Sequence, residues 1–283
     1  MQRLPVSPKC HCRDPPARRF YAIWALLPTV ALVASMTHSS HAQDAASKAE
    51  LAPTGTLRVG LIEAPTAGLI FVRRTEDGTP EGVTADLSAD LARRVGLPRA
   101  VTLFPNSGAA AAALQAETID VSFMPVDATR RQVLAFGPGY YDLESTYLVS
   151  GASGITDVAQ VDRPGLRVLA IDGTTTFRAS ARTLTRTQPV AVPSVAEAVE
   201  RMRAGQADAF ALSRDTLRPV VEQVPGSRIV SGGFQQTQVA VALPKGRPGA
   251  LADVTAWLDG AKRTGVVRRI FEARGFRDDA VAP

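Results

Sequence analysis

The sequence predicts an α/β fold with mostly parallel sheets, arranged as two lobes around a cleft. Three observations carry this. Short apolar runs alternate with amphipathic helical patterns along most of the chain. The alternation pauses after Val149 and restarts at Arg167, which makes two successive α/β units. The roughly 240 residues that follow an N-terminal leader suffice for one large domain or two lobes. Sheets of this kind hold ligands beyond the carboxyl ends of their strands, so the site is expected in the cleft.

Residues 1–42 read as a secretory signal peptide. Arg18 and Arg19 precede the apolar run FYAIWALLPTVALVASM, and Ser40-His41-Ala42 supplies small residues before a cut near Ala42. The run is short for a membrane span, and Pro28 interrupts it. Both cysteines and all three histidines fall in this leader. An exported chain without it has no disulfide, no thiol or Ser-His-Asp catalysis and none of the usual zinc sites. No cofactor or metal is expected. The leader also holds five basic residues and one acid, so its removal takes the formal net charge from +5 to +1. A balanced surface offers no argument for nucleic acid.

The elements follow in order. Residues 43–54 are rich in Ala, Ser, Asp, Pro and Thr and are expected to be disordered. Leu57–Ile62 reads as a strand. Thr84–Val95 reads as a helix with Leu87, Leu91 and Val95 on one face. Val101–Phe104 is a strand, Ala109–Glu117 an alanine-rich helix and Asp120–Met124 a strand. Then come Arg130 and Arg131, a Gly137-Pro138-Gly139 turn, the pair Tyr140-Tyr141 and a strand at Thr146–Val149. In the second unit Arg167–Ile171 is a strand, followed by Gly173-Thr174-Thr175-Thr176 and a helix over Phe177–Leu184. Ser194-Val195-Ala196-Glu197 is a capping box that opens the next helix. Asp208–Leu212 and Val239–Leu243 are strands, and Ala250–Lys262 and Val266–Ala273 are terminal helices.

In their order and spacing, several of these segments resemble the bacterial extracellular solute-binding proteins of family 3, the amino-acid-type binding proteins of ABC transporters. The segments are Gly55–Gly60, Gly82–Leu87, Gln115–Asp120, the stretch from Arg130 to Tyr141, Arg167–Thr175 and Gly205–Leu212. The resemblance covers nearly all of residues 55–277. It implies a two-lobed periplasmic-binding-protein clamshell of type II with a two-strand hinge. Lobe 1 would be residues 55–144 plus 243–277, and lobe 2 residues 150–237. Residues 145–149 and 238–242 would form the hinge strands, and 278–283 a C-terminal tail. It further implies a periplasmic monomer that captures a small solute by lobe closure and delivers it to an ABC permease in the inner membrane.

The resemblance also assigns site residues. In the family an arginine six positions before the Phe of this stretch grips the ligand carboxylate, and counting back from Phe136 gives Arg130. A guanidinium fork pairs bidentately with a planar carboxylate, and in a closed cleft that pair is desolvated. Arg131 would be solvated. Thr174 and Thr175 lie between a strand and a helix, where free amides and the helix dipole favour an anion. Where the family places an acid for the ligand's amino group, this chain has Ser213, followed by Arg214 and Asp215. A hydroxyl cannot neutralise a buried ammonium. Either Asp215 or Glu63 therefore supplies the acid, or the ligand is not an ordinary amino acid. Tyr140 is a candidate to line the cleft and Phe71 to stack on the ligand. Two other readings use the same scaffold. One is a periplasmic enzyme similar to cyclohexadienyl dehydratase, which needs a carboxyl poised in the cleft. The other is an accessory or sensory binding protein.

Overall fold

The computed structural model describes residues 44–63 and 69–283. The expected signal peptide, with its cysteines and histidines, lies outside the described residues.

Residues 44–51 are helical (α1), where the composition predicts disorder. The reason is a docking contact. Leu51 is fully buried in the core, and Glu50 accepts hydrogen bonds from the amides of Gly249 and Ala250. The first unit then runs β1 (Leu57–Ile62), β2 (Arg73–Arg74), β3 (Pro80–Glu81), α2 (Val83–Val95), β4 (Arg99–Phe104), α3 (Ser107–Gln115), β5 (Val121–Pro125) and α4 (Ala128–Val133). A long strand follows, β6 (Leu134–Val149). The second unit runs β7 (Val168–Ile171), α5 (Thr175–Thr183), β8 (Pro189–Val192), α6 (Val195–Arg203), β9 (Ala209–Ser213), α7 (Arg214–Val221) and β10 (Arg228–Ile229). The chain returns through β11 (Gln235–Pro244) and ends in α8 (Pro248–Arg263) and α9 (Val266–Ala273).

The sheet order is β4-β1-β5-β11-β6-β9-β7-β8. Parallel triplets stand at both ends: β4-β1-β5 and β9-β7-β8. Between them β11 runs antiparallel to β5, and β6 antiparallel to both β11 and β9. The sheet is therefore mixed, with parallel pairing within each unit and an antiparallel pair joining them. This is the two-lobed architecture. One core gathers α1, β1, α2, α3, β5 and the terminal helices. Two smaller clusters cover the faces of the β9-β7-β8 triplet.

A repeated polar joint supports the two-unit reading. In the first unit the Arg58 amide and Nε both donate to Asp120 Oδ2 at 3.0 Å, and Nη2 donates to Oδ1 at 2.7 Å. In the second unit Arg167 treats Asp208 in the same way, at 2.9, 2.9 and 2.7 Å. Each arginine stands at the start of its unit's first strand and each aspartate immediately before that strand's neighbour. Both carboxylates thus fasten strands and lie away from any cleft. Asp120 is fully buried and takes a further bond from Arg247 Nη1 at 3.1 Å, which matches its charge twice over.

The expected Gly137-Pro138-Gly139 turn is strand instead. Register along β6 and β11 runs from Ser145 opposite Gln235 to Leu134 opposite Pro244, with irregularities at Val239/Ala240 and Ala240/Ala242. Gly137 and Pro138 together oppose the span between Ala240 and Ala242. A bulge removes the need for a ladder donor, and that is how a strand accommodates Pro138. No helix among the described residues is long and apolar enough to cross a membrane.

Candidate functional site

Two strands end, and two helices begin, at the same cavity. After β4, Asn106 caps α3 by accepting from the Ala109 amide at 2.9 Å. After β7, Thr174 caps α5 by accepting from the Phe177 amide at 3.0 Å, while its hydroxyl donates to the Ile171 carbonyl at 2.7 Å. Asn106 and Ser107 from one lobe, and Thr174, Thr175 and Thr176 from the other, line a cavity of about 70 Å³. The first amides of each helix have no carbonyl within the helix to bond. Two positive helix ends therefore converge here from opposite sides. The remaining walls are mainly apolar: Ile62, Phe71, Leu143, Ile171, Val195 and Leu212. Ser213 and Thr216 complete them, with their hydroxyls 2.7 Å apart.

The lobes touch beside this cavity. Gly108 in α3 faces Gly173, and a Cβ on Gly108 would fall 2.9 Å from the Gly173 Cα. Gly173 itself has φ +68, a left-handed conformation that suits glycine. Asp127 caps α4 through the Arg130 amide at 2.8 Å and reaches across to Arg178 of α5, whose Nε donates at 2.9 Å. Burial pushes the Asp127 carboxyl up, but the Arg130 amide and the Arg178 guanidinium outweigh it and hold the group below the usual carboxylate range.

Arg130 sits immediately behind the cavity, outside its wall. It is 3% exposed. Nη1 donates to the Pro125 carbonyl at 2.7 Å, and Nη2 donates to Ser107 Oγ at 2.7 Å and to the Gly173 carbonyl at 3.1 Å. It thus ties a residue of one helix start to the loop before the other. Burial, and then the nearby Arg178, lower its pKa to about 10, which leaves it charged at neutral pH. Arg131 is exposed, with its guanidinium 5.8 Å from the Phe136 ring centre.

The other residues singled out in the sequence divide into two groups. Glu63, Phe71, Thr174, Thr175 and Ser213 share the cavity wall. Glu63 is held there by Arg74, whose Nε and Nη2 donate to its two oxygens at 2.7 and 3.3 Å. Tyr140 and Asp215 are not on that wall. Tyr140 is fully buried between Phe123 and Phe271, with edge-on ring contacts at 6.1 and 6.5 Å. The bulge between Val239 and Ala240 turns Tyr140 and Tyr141 both inward, where plain alternation would have left one outside. Asp215 accepts a hydrogen bond from the Tyr141 hydroxyl, and burial pushes its carboxyl above the ordinary value.

Sequence reasoning missed Asn106, Ser107, Thr176 and Thr216. For the first two a signal was present. Asn106-Ser107-Gly108 stands between a strand and a helix, as Gly173-Thr174-Thr175 does. The cross-lobe pair of Asp127 with Arg178 left no local signal, because 51 residues separate the partners.

Solved structures share this fold. A mutant of the arginine-binding protein ArgBP from T. maritima aligns with a TM-score of 0.70 at 24% identity, covering 80% of this chain and 98% of that one. An ancestral amino acid-binding protein, a precursor of cyclohexadienyl dehydratase, aligns with a TM-score of 0.67 at 26% identity over 79% of this chain and 97% of that one. A putative ABC-transporter binding component from Wolinella succinogenes, complexed with lysine, gives a TM-score of 0.68 at 22% identity over 78% and 95%. Comparison with curated protein sequences finds no match. Residues 63–273 match the sequence profile of one family, and that span takes in both helix starts, the β9-β7-β8 triplet and the joining strands: the chain belongs to the bacterial extracellular solute-binding proteins, family 3.

Proposed function

We propose that the protein captures a small carboxylate-bearing solute by lobe closure and presents it, as a periplasmic monomer, to an ABC permease in the inner membrane. The lobes are taken as residues 55–144 plus 243–277 and residues 150–237, with 145–149 and 238–242 as the hinge. One observation carries the reading: two helix N-termini from opposite lobes meet over one cavity, with the charged Arg130 directly behind both. A carboxylate placed there receives the amides of Thr175 and Thr176 from one side and Ser107 from the other. Such a solute contacts both lobes at once, so it binds the closed form better than the open one. Arg130 acts in this reading as a positioning residue. It orients Ser107 and the Gly173 carbonyl and supplies positive charge in a poorly solvated place. A dehydratase would need a carboxyl poised in the cavity. Glu63, the carboxyl among the described lining residues, is instead engaged by Arg74.

Thermal melting against a panel of small carboxylates, amides, amines and amino acids tests this. A ligand at a hundred times its dissociation constant stabilises by about 2.7 kcal/mol. Carboxylates are expected to raise the melting temperature, and Arg130→Ala is expected to abolish that rise at a cost of about 2–5 kcal/mol in binding. The loss should be selective, with carboxylates losing more than uncharged amides of the same shape. Equal losses for both would leave Arg130 a purely structural role. A panel in which only amines or neutral compounds bind would overturn the carboxylate reading.

A further inference from the structure

We infer that the solute of this cavity carries no ammonium group and is a short-chain carboxylate with a branched or apolar tail, so the site selects against α-amino acids. The inference rests on the solute-binding reading above and specifies it.

The argument is one of charge inventory around the cavity. An ammonium needs a carboxylate that faces it, because a buried unpaired charge is costly. Among the described residues five carboxylates lie near the cleft, and each has a protein partner. Asp172, exposed and off the cavity wall, accepts from the Gly173 amide at 2.8 Å. Glu63 is gripped through both oxygens by Arg74. Asp127 is paired with Arg178 and also caps α4. Asp215 lies off the cavity wall, bonded by the Tyr141 hydroxyl, with Arg218 Nη1 at 3.7 Å. Glu144 is bonded by Arg214. The segment 64–68, which adjoins Glu63 in the chain, reads Ala-Pro-Thr-Ala-Gly and contributes no acid.

Against these partnered carboxylates stand three positive features that form no ion pair with a carboxylate among the described residues. They are the two helix starts and Arg130, whose three bonds all go to uncharged oxygens. Each helix start is equivalent to about half a positive charge. The cavity therefore attracts one negative group and repels a positive one. An α-amino acid brings both, and its ammonium would meet hydroxyls of Ser213 and Thr216 that already bond each other.

Size and lining narrow the class. A cavity of about 70 Å³ holds about five waters, which suits an acid of about four to six carbons. Aliphatic walls from Ile62, Leu143, Ile171 and Val195, with Phe71, favour a hydrocarbon tail.

The test is a matched pair measured by calorimetry on the whole protein. Valine and 3-methylbutanoate share one carbon skeleton and differ only in the ammonium. The protein is expected to bind 3-methylbutanoate at least about tenfold tighter than valine. Ser213→Asp puts a carboxylate on the cavity wall and is expected to narrow or reverse that preference. If valine, lysine or arginine binds as tightly as 3-methylbutanoate, the inference is overturned while the solute-binding reading stands. If none of these compounds binds, the inference falls, and the wider panel decides the solute-binding reading. Should Ser213→Asp fail to fold, the comparison on the unaltered protein still decides.

Discussion

A guanidinium held at 3% exposure must find acceptors, and Arg130 finds three within the protein. The family resemblance expects it at the ligand from its distance to Phe136, and the structure sets it just behind the cavity wall. Its partners were not legible in the sequence, because Ser107 and Gly173 come from distant segments and only the folded chain brings them together. Tyr140 shows the opposite outcome. A tyrosine next to a cleft invites a binding role, but its ring is enclosed by Phe123 and Phe271 and its hydroxyl has no hydrogen-bond partner among the described residues. An unpaired buried hydroxyl costs about 1–3 kcal/mol. Tyr140→Phe is therefore expected to raise stability by about 1 kcal/mol, read from denaturant midpoints, and to leave solute affinity unchanged. A loss of stability, or of affinity, would contradict the placement in the core.

At the scale of elements, period and capping signals located most helices and strands. Thr174 and Ser194 are caps in the structure, as their spacing indicates. What escaped was β6. Its Gly137-Pro138-Gly139 segment carries turn chemistry, and only pairing with β11 through two bulges makes it strand. The same strand meets α7 through Tyr141 and Asp215, and this contact has a pH signature. Burial raises the Asp215 carboxyl above its unfolded value, despite the Tyr141 hydrogen bond and Arg218. Its stabilising contribution is complete below about pH 4, the unfolded range for aspartate. It is lost as pH rises through the folded value. Asp215→Asn keeps an acceptor for Tyr141 and removes the titration. The variant should gain stability relative to the unaltered protein as pH goes from 4 to 7, followed by urea unfolding at each pH. A difference that shrinks over that interval would refute the assignment.

For the whole molecule, the two-lobed plan was readable because it is written twice, as strand, helix and strand in each unit. The repeated joints of Arg58 with Asp120 and Arg167 with Asp208 give that repetition a chemical basis. The mixed character of the sheet was not readable. Whether a late strand such as β11 runs parallel or antiparallel to its neighbours depends on where the chain returns, and local pattern holds no record of it. Gly108 and Gly173 stand in contact beside the cavity. Gly108 lies within the first turn of α3, where alanine fits the backbone and improves helix propensity by about 1 kcal/mol. The nearest atoms a side chain there would meet belong to Gly173 of the opposite lobe.

That makes Gly108→Ala the most direct probe of capture by closure. The measurement is thermal melting of this variant and the unaltered protein, each with and without the carboxylate that gives the largest shift. The ligand-free variant should melt at the same temperature or higher, and its ligand-induced shift should be lost or much reduced, because the added methyl group holds the lobes apart. A full shift in the variant would mean that the solute binds without closure at this junction, which would contradict the account.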